Sequence, residues 1–352
     1  MSAMPKVVLV TGVSRFVGAH LAGQLAADPS IERVIGIDSD RPRRSDLERL
    51  GRTEFVRADI RNPLIAKVIT QAHVDTVVHT PVLRSARGVG GKLAAKDLTV
   101  IGTMQLLAAC QKSDMVSRVV VRSTTAVYGC GSRDPAVFTE DMHAIGYAGN
   151  GYAKEAVEVE GYVRGFMRRR PDITVSILRL TSLIGPTIDT PLGRYFAMPV
   201  VPTSLGFDPR LQMLHESDAI EVLKRATIAD HPGVFNVAAD GVVLLSQAVR
   251  RAGRLRLPVP SPAASLVGGM VRNTGALEIS AENASFLHYG RVVDTTRLRN
   301  RFGYVPRYTT EQALDDYLDG RPALPRLSTA ALRLAESLMS RTRPPALARS
   351  GG

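Results

Sequence analysis

The sequence has 352 residues but only two cysteines, and it has no apolar run of membrane-spanning length. Cys110 lies in a helical pattern and Cys130 just after a predicted strand, without metal-ligand spacing or a partner pattern. We therefore expect two reduced, packed thiols. The longest apolar runs have the length of strands, well below the roughly 20 residues of a membrane helix. No apolar leader precedes the first predicted strand, which predicts a cytoplasmic protein without integral membrane contact.

Metal-binding and nucleic-acid-binding patterns are missing as well. The histidines show neither i, i+4 nor any other metal-ligand spacing, so no metal site is predicted. A net charge of +12 favours an anionic partner. The basic residues are scattered, however, and no RNA- or DNA-binding motif accompanies them. We interpret most of them as solvated surface and expect no nucleic acid partner.

What the chain does contain is a buried-strand pattern that runs into a glycine turn. Residues 6–18 read KVVLVTGVSRFVG, whose aliphatic run indicates a parallel strand buried on both faces. Gly12 permits a sharp turn, and Gly18 lets the following helix pack close to the strand. Backbone N–H groups at the start of that helix would face a pyrophosphate. The residues expected to hold a dinucleotide here are Gly12, Ser14, Arg15, Phe16, Val17 and Gly18.

The end of the second predicted strand indicates which dinucleotide binds. This strand ends in Asp38, twenty residues after Gly18. The Asp38 carboxylate can accept hydrogen bonds from the adenosine ribose and would repel a 2′-phosphate, which favours NAD over NADP. Arg41, Arg43 and Arg44 follow closely, so NADP stays open as the less favoured alternative.

Strand-like and helix-like segments alternate through the first two thirds of the chain, which predicts an α/β fold with a Rossmann-type doubly wound parallel sheet. The predicted strands cover 6–10, 33–37, 54–57, 76–79, 118–122 and 174–179, and the predicted helices cover 14–27, 65–71, 92–111 and 151–169. Loop-rich sequence follows Arg179. We place an NAD-binding domain at 1–180, a smaller, interleaved C-terminal substrate-binding lobe at 181–325, and a C-terminal helix with a tail at 326–352. Asp59 and Ile60, at the carboxyl end of the third strand, are expected to contact adenine.

A series of separated motifs then points to one family. In chain order they are TGVSRFVG at 11–18, Asp38, Asp59-Ile60, VIGT at 100–103, STTAVYG at 123–129, a lysine-containing helix at 151–169, LRLTSLIGP at 178–186, LHESD at 214–218 and FNVA at 235–238. With these motifs, residues 6–320 resemble the extended short-chain dehydrogenases/reductases of the NAD-dependent epimerase/dehydratase family, the group that includes UDP-glucose 4-epimerase.

The resemblance implies a hydride-transfer site. In this family the nicotinamide takes a hydride from a sugar carbon while a tyrosinate takes the hydroxyl proton. A lysine four residues later lowers the pKa of the tyrosine and binds the nicotinamide ribose, and a Ser or Thr hydroxyl orients the substrate. Lys154 matches the lysine, and Thr124 matches the hydroxyl, with Ser123 and Thr125 as alternatives. The resemblance also implies a homodimer that pairs through the helices at 92–111 and 151–169.

The tyrosine of this pattern is absent, because the position four residues before Lys154 is Asn150. Asparagine has no titratable proton, so Asn150 can hydrogen-bond a hydroxyl but cannot act as a general base. Tyr152 is about 200° around the helix from Lys154 and should face away from it. Tyr147 could reach the site only if its loop folds back.

Other positions also depart from the family pattern. Arg15 replaces the middle glycine of TGxxGxxG, so it either crowds the pyrophosphate or neutralises it. Thr99 and Ser182 stand where the family usually has Asn, and His79-Thr80-Pro81 replaces a small-residue run on the nicotinamide side of the pocket, where His79 and Thr80 are expected to contact the cofactor. Ser182 is a predicted substrate contact.

The remaining candidate residues concern the substrate and the LHESD segment. Arg194, Arg210 and Arg291 are candidates for binding a nucleotide diphosphate, because guanidinium groups match phosphate geometry. In LHESD we expect a packed, satisfied His215 and an Asp218 that caps the following helix.

Two hypotheses of function follow. The first is an enzyme that acts on a nucleotide-activated sugar by transient hydride transfer to bound NAD. The alternative is a non-catalytic NAD-binding sensor or scaffold that has lost the catalytic tyrosine.

Overall fold

The computed structural model describes residues 4–81, 91–142, 152–260 and 281–321, without the side chains of residues 45, 91–98 and 281–284. Its centre is a seven-stranded sheet with the strand order β11-β6-β5-β4-β1-β2-β3, in which every neighbouring pair is parallel. The predicted doubly wound sheet is therefore confirmed. These strands are β1 Val7–Thr11, β2 Arg33–Asp38, β3 Glu54–Arg57, β4 Thr76–His79, β5 Arg118–Thr124, β6 Thr174–Leu180 and β11 Gly233–Val237.

Helices cover both faces of this sheet, which is why its central strands are apolar on both sides. One apolar cluster joins α1 and α7 to one face of the sheet, and a second cluster joins α3, α4 and α5 to the other face. The helices are α1 Phe16–Ala26, α2 Arg44–Arg49, α3 Leu64–Gln71, α4 Gly91–Lys112, α5 Tyr152–Arg169 and α7 Glu216–Ile228. None of the helices among the described residues has both the length and the apolarity needed to cross a bilayer.

The chain after β6 builds a separate apolar cluster from short strands and helices. Three small sheets contribute to this region, with the strand orders β10-β7, β12-β9-β14 and β13-β8. The strands are β7 Ser182–Ile184, β8 Val200–Ser204, β9 Arg210–Leu211, β10 Met213–His215, β12 Val243–Leu244, β13 Leu255–Val259 and β14 Gly290–Arg291. The helices are α6 Pro191–Ala197, α8 Leu245–Arg251, α9 Ala281–Tyr289 and α10 Thr310–Asp319. The predicted helix near the C-terminus falls outside the described residues.

The strand order also locates a ligand crevice. From β1 the chain continues to β2 on one side, whereas β4 lies on the other side of β1. In doubly wound sheets such a reversal opens a crevice at the carboxyl ends of the two strands concerned. Thr11 and Gly12 lie at the end of β1, and His79 and Thr80 lie at the end of β4. All four line one open cleft, as this rule requires.

Candidate cofactor and substrate site

The turn after β1 requires glycine at two positions for steric reasons. Gly12 has a φ of +77°, and a Cβ there would lie 2.5 Å from the Thr80 carbonyl oxygen. A Cβ on Gly18 would overlap the carbonyl oxygen of Gly12. No side chain caps the N-terminus of α1. Its first N–H groups therefore remain available to an anion, as a pyrophosphate site requires.

Asp38 lies at the end of β2 on the wall of the same cleft, and it is buried. Its Oδ2 accepts hydrogen bonds from the backbone N–H of Ser14, at 3.0 Å, and from the Ser14 hydroxyl, at 2.5 Å. Its Oδ1 accepts one from the backbone N–H of Asp40 at 3.1 Å. These bonds hold the carboxylate in place, and its remaining lone pairs can accept ribose hydroxyls.

Arg15 and Asp59, two further residues predicted to bind the cofactor, are each held in an ion pair. The Arg15 Nη2 lies 3.3 Å from Asp40 Oδ2, in an exposed ion pair. Because exposed pairs contribute little, this guanidinium is free to exchange Asp40 for a ligand anion. Ile60 lines the cleft, whereas the Asp59 carboxylate is held by the Arg61 guanidinium at 2.6 Å. Hydrogen bonds from the Arg61 side chain keep the pKa of Asp59 below its usual value.

A buried hydrogen-bond network forms the floor of the cleft. The Thr80 N–H donates to Thr11 Oγ1 at 3.2 Å, and the Thr11 hydroxyl lies 2.8 Å from His79 Nδ1. On the other side of the ring, His79 Nε2 lies 2.9 Å from Thr103 Oγ1, whose own proton goes to the Thr99 carbonyl at 2.6 Å. Since the Thr103 proton is already used, Nε2 must carry the imidazole proton and Nδ1 must accept from Thr11.

This network ties β1, β4 and α4 together beneath the site. Burial lowers the pKa of His79 to about 4, so the imidazole is neutral at physiological pH. A neutral ring with both nitrogens hydrogen-bonded is a structural group rather than a proton carrier. His79 and Thr80 thus lie at the predicted place, and Thr99, one of the positions that departs from the family pattern, takes part through its carbonyl group.

The end of β5 presents one hydroxyl that is able to donate to a ligand. Thr124 Oγ1 accepts a hydrogen bond from the Ala126 N–H at 3.2 Å and so caps the short turn Thr125–Tyr128. Its own proton is not used in this bond. The neighbouring Ser123 hydroxyl instead donates to Glu160 Oε1 at 2.6 Å, on the α5 side of the sheet. Thr124 is therefore better suited than Ser123 to orient a substrate.

Behind Ser123 lies a buried ion pair that the sequence analysis did not identify. The Arg179 guanidinium binds both oxygens of Glu160, at 2.9 and 2.6 Å, and donates to the Tyr128 hydroxyl at 2.6 Å. Tyr128 in turn donates to Asn236 Oδ1 at 2.7 Å. Burial acts to raise the pKa of Glu160, but the hydrogen bonds and charge of Arg179, together with Ser123 and Arg164, outweigh it and lower that pKa. The only sequence signal for this pair is a charged residue inside each of two apolar patterns.

The predicted catalytic helix is described from Tyr152 onwards. Lys154 is exposed, in the first turn of α5. Asn150 and Tyr147 lie outside the described residues, so their predicted places relative to Lys154 remain predictions.

Of the predicted substrate residues, Arg210 and Arg291 lie on the paired strands β9 and β14. Arg194 lies 3.4 Å from Asp189, and Arg210 donates to the Ala136 carbonyl at 2.7 Å. Ser182 is partly buried in β7. Arg291 contacts the STTAVYG segment at 123–129, because its Nε donates a hydrogen bond to the Gly129 carbonyl at 2.8 Å.

The LHESD segment differs from the prediction in one respect. His215, not Asp218, caps α7, and its Nδ1 accepts from the Ser217 N–H at 3.2 Å. Its Nε2 lies 3.0 Å from Asp316, so the expected satisfied histidine is present. Asp218 was wrongly predicted as the cap because α7 begins at Glu216. It instead accepts from the Tyr304 hydroxyl at 2.7 Å and from the Arg307 N–H at 2.9 Å.

The glycine turn, the buried carboxylate at the end of β2 and the crevice at the β1–β4 reversal define a dinucleotide-binding α/β protein. The model of the NAD dependent epimerase/dehydratase family matches residues 8–201. An uncharacterized protein of Mycobacterium tuberculosis (strain ATCC 25618 / H37Rv) is 50% identical over 329 residues, which cover 94% of this chain and 88% of that protein. The chain belongs to the NAD-dependent epimerase/dehydratase family. NAD is the cofactor of this family, which confirms the prediction of NAD.

Solved structures share the fold. A UDP-glucose 4-epimerase of Thermotoga maritima with UDP-glucose matches with a TM-score of 0.69 at 17% identity, over 91% of this chain and 100% of that chain. A UDP-glucuronic acid 4-epimerase from Bacillus cereus, in complex with UDP-glucuronic acid and NAD, matches with a TM-score of 0.68 at 20% identity, over 91% and 100%. At this level of identity the likeness establishes the fold.

Proposed function

We propose that the protein is an NAD-dependent epimerase/dehydratase-type enzyme that acts on a nucleotide-activated sugar by transient hydride transfer. The observation that carries this proposal is the shared edge of the sheet. The cofactor cleft at the end of β1 and the Thr124 hydroxyl at the end of β5 both open there. The nucleotide-sugar ligands of both solved structures, UDP-glucose and UDP-glucuronic acid, support the substrate class.

Each residue then has a definite role. The N–H groups of the first turn of α1 hold the pyrophosphate, Asp38 accepts the adenosine ribose hydroxyls, and Ile60 packs on adenine. Lys154 binds the nicotinamide ribose, and Thr124 donates to a substrate hydroxyl. When bound, NAD supplies the hydride acceptor. Ser182, Arg194, Arg210 and Arg291 are proposed to contact the substrate.

The family's usual proton acceptor is absent, because Asn150 occupies the tyrosine position. Tyr147, a water molecule or a group of the substrate itself would take the proton. The same substitution favours the second candidate function, an NAD-binding sensor or scaffold without turnover. The two candidates predict different spectra, because only the enzyme converts bound NAD into NADH.

The test is an absorbance measurement on the purified protein. Bound NAD should be detected first, and UDP-glucose, UDP-galactose and further nucleotide sugars should then be added. An enzyme should give the NADH band with at least one of them. Protein that holds NAD and never shows this band with any sugar supports the sensor and contradicts the enzyme.

The Asn150→Tyr variant asks whether the natural chain is a catalyst at all. If the wild type turns over with a different proton acceptor, the variant should change the rate and its pH dependence. Turnover that occurs only in the variant would identify the natural chain as a protein that has lost its base, and would contradict the enzyme proposal.

We further propose that the protein forms a homodimer through α4 and α5. Ile101 and Met104 on α4 and Tyr162 on α5 have exposed fractions of 41, 42 and 40%, and a Cβ on Gly161 would meet no atom within 4 Å. Light scattering at micromolar concentration should show a dimer, and Met104→Glu should convert it into a monomer. Met115→Glu, at a more exposed site just after α4, is the control. A monomeric wild type contradicts this proposal.

A further inference from the structure

Arg122, near the carboxyl end of β5, has a guanidinium group with no hydrogen-bond or ion-pair partner among the described residues. Its Nε is fully enclosed and unpartnered, although the residue as a whole is only partly buried. The terminal amino groups are therefore the part of the side chain that meets open space. Arg118, on the same strand, shows the contrast, since it binds Asp230 at 2.7 Å and the Thr227 carbonyl at 2.8 Å.

The direction of the Arg122 side chain follows from the pleat of β5. Ser123 faces α5, where it bonds to Glu160, so Arg122 and Thr124 start out on the opposite face. Val121 pairs with His79, which places Arg122 beside Thr80, and Thr80 lines the cleft. Burial lowers the pKa of Arg122, while Tyr152 of α5, across the sheet, acts to raise it.

No ion pair joins Arg122 to a carboxylate among the residues that the structure describes. The nearby buried carboxylate of Glu160 is already bound by Arg179 and Ser123. The pyrophosphate site lies at β1, two strands or roughly 10 Å away along the sheet. Thr124, the proposed substrate-orienting residue, is two positions away on the same face of β5.

We propose that Arg122 is a specificity-determining residue that binds an acidic group, such as a carboxylate, on the sugar portion of the substrate. The inference rests on the proposed function and narrows its substrate class to nucleotide-activated sugar acids. A guanidinium matches a carboxylate in a planar, two-bonded geometry, and an enclosed cation without a partner gains most from such a ligand. A substrate with a neutral sugar would leave the Arg122 guanidinium without a charged partner.

Calorimetric titration of the NAD-loaded wild type with UDP-glucuronic acid and with UDP-glucose tests this directly. The two probes share the nucleotide and the diphosphate, so their comparison isolates the carboxylate. The acid should bind about tenfold more tightly or better, the effect expected of a hydrogen-bonded charge pair. Equal affinities, or a preference for UDP-glucose, would overturn the inference and leave the proposed function intact. If neither sugar binds, both fail.

Two variants show whether the preference belongs to Arg122. Arg122→Gln should lose the preference while its affinity for UDP-glucose stays within about twofold of the wild type, and Arg122→Lys should keep part of it. Retained NAD and an unchanged melting temperature show that each variant is folded. An equal loss of affinity for both sugars, or a loss of NAD binding, would mean that Arg122 serves the diphosphate or the cofactor, and would overturn the proposal.

Discussion

At the scale of single residues, Gly12 depends on glycine for two separate reasons, its φ of +77° and its contact with the Thr80 carbonyl. Gly12→Ala should lower the free energy of unfolding by about 2 kcal/mol or more and abolish NAD binding, because a backbone carbonyl cannot move aside as a flexible side chain can. Denaturant unfolding and calorimetry with NAD measure the two effects.

Gly51 offers a matched control for this prediction. It also has a positive φ, of +57°, but a Cβ there would meet no atom within 4 Å. Gly51→Ala should therefore show only the backbone strain of about 1–2 kcal/mol and should keep NAD binding. Equal losses in the two variants would show that the contact with Thr80 contributes nothing.

His79 should make stability depend on pH. The unfolded imidazole takes up a proton near pH 6.5, whereas the folded one does so only at about pH 4. Between these values the unfolded chain binds more protons, so the contribution is fully present above pH 6.5 and is lost as pH falls towards 4. The loss approaches about 3 kcal/mol.

Denaturant unfolding of His79→Gln between pH 4 and 7 measures this effect. The variant should be less stable at pH 7 but should lose less stability on acidification than the wild type. His231→Gln, which removes a partly buried imidazole, should keep most of the wild-type slope. If His79→Gln shows the wild-type slope in full, His79 is not the titrating group.

At the scale of elements, the Glu160–Arg179 pair fixes α5 against β6 in a fully buried place. Arg179→Met leaves the buried Glu160 carboxylate with only Ser123 and the more exposed Arg164 as partners, and should lower the free energy of unfolding by about 3 kcal/mol. The double variant Glu160→Met with Arg179→Met removes both charges and should regain much of this loss. A double variant no more stable than Arg179→Met would show that the carboxylate is not the source of the penalty.

The sequence predicted the sheet more closely than the small elements around it. The predicted bounds of β3 and β4 agree with the structure, and those of β1 and β5 differ by one or two residues. Apolar runs mark buried strands, but the hydrogen bonds of the neighbouring strand decide where each one ends. The helix Arg44–Arg49 was missed because its residues are almost all polar and give no apolar stripe.

The sequence predicted only those site residues that lie close together along the chain. Gly12, Gly18 and Asp38 follow from a strand, a turn and a second strand in close succession, and the structure places Gly12 and Asp38 on one cleft. The partners of His79 lie 68 and 24 residues away along the chain, and those of Arg179 on two further elements. Sequence spacing cannot show such pairings, because they depend on how the strands are ordered in the sheet.

At the scale of the whole molecule, cofactor binding should raise stability, since NAD binds the folded chain alone. At a concentration of 100 times the dissociation constant, NAD should add about 2.7 kcal/mol. NADP at the same concentration should add less, because the buried Asp38 side chain lies where the 2′-phosphate of NADP would bind. Thermal melts with each cofactor measure the difference.

The Asp38→Ala variant should reduce that difference between the two cofactors. Its loss of the Ser14 hydrogen bonds will also weaken NAD binding, so the ratio of the two affinities is the quantity to compare. Asp40→Asn, which weakens the Arg15 ion pair and keeps Asp38, should leave the ratio as in the wild type. An unchanged ratio in Asp38→Ala would mean that another group discriminates against the 2′-phosphate.

The two hydrogen bonds between Thr11 and Thr80 also determine when the nucleotide site can form during synthesis of the chain. Thr80 donates to Thr11 through both its N–H and its hydroxyl, across 69 residues of sequence. A nascent chain that has emerged only as far as β2 already carries the whole glycine motif, yet it lacks the strand against which the turn is held. Nucleotide capture must therefore wait until β4 has left the ribosome. The glycine motif is synthesised first, but it can bind a nucleotide only after β4 has been synthesised and has paired with β1.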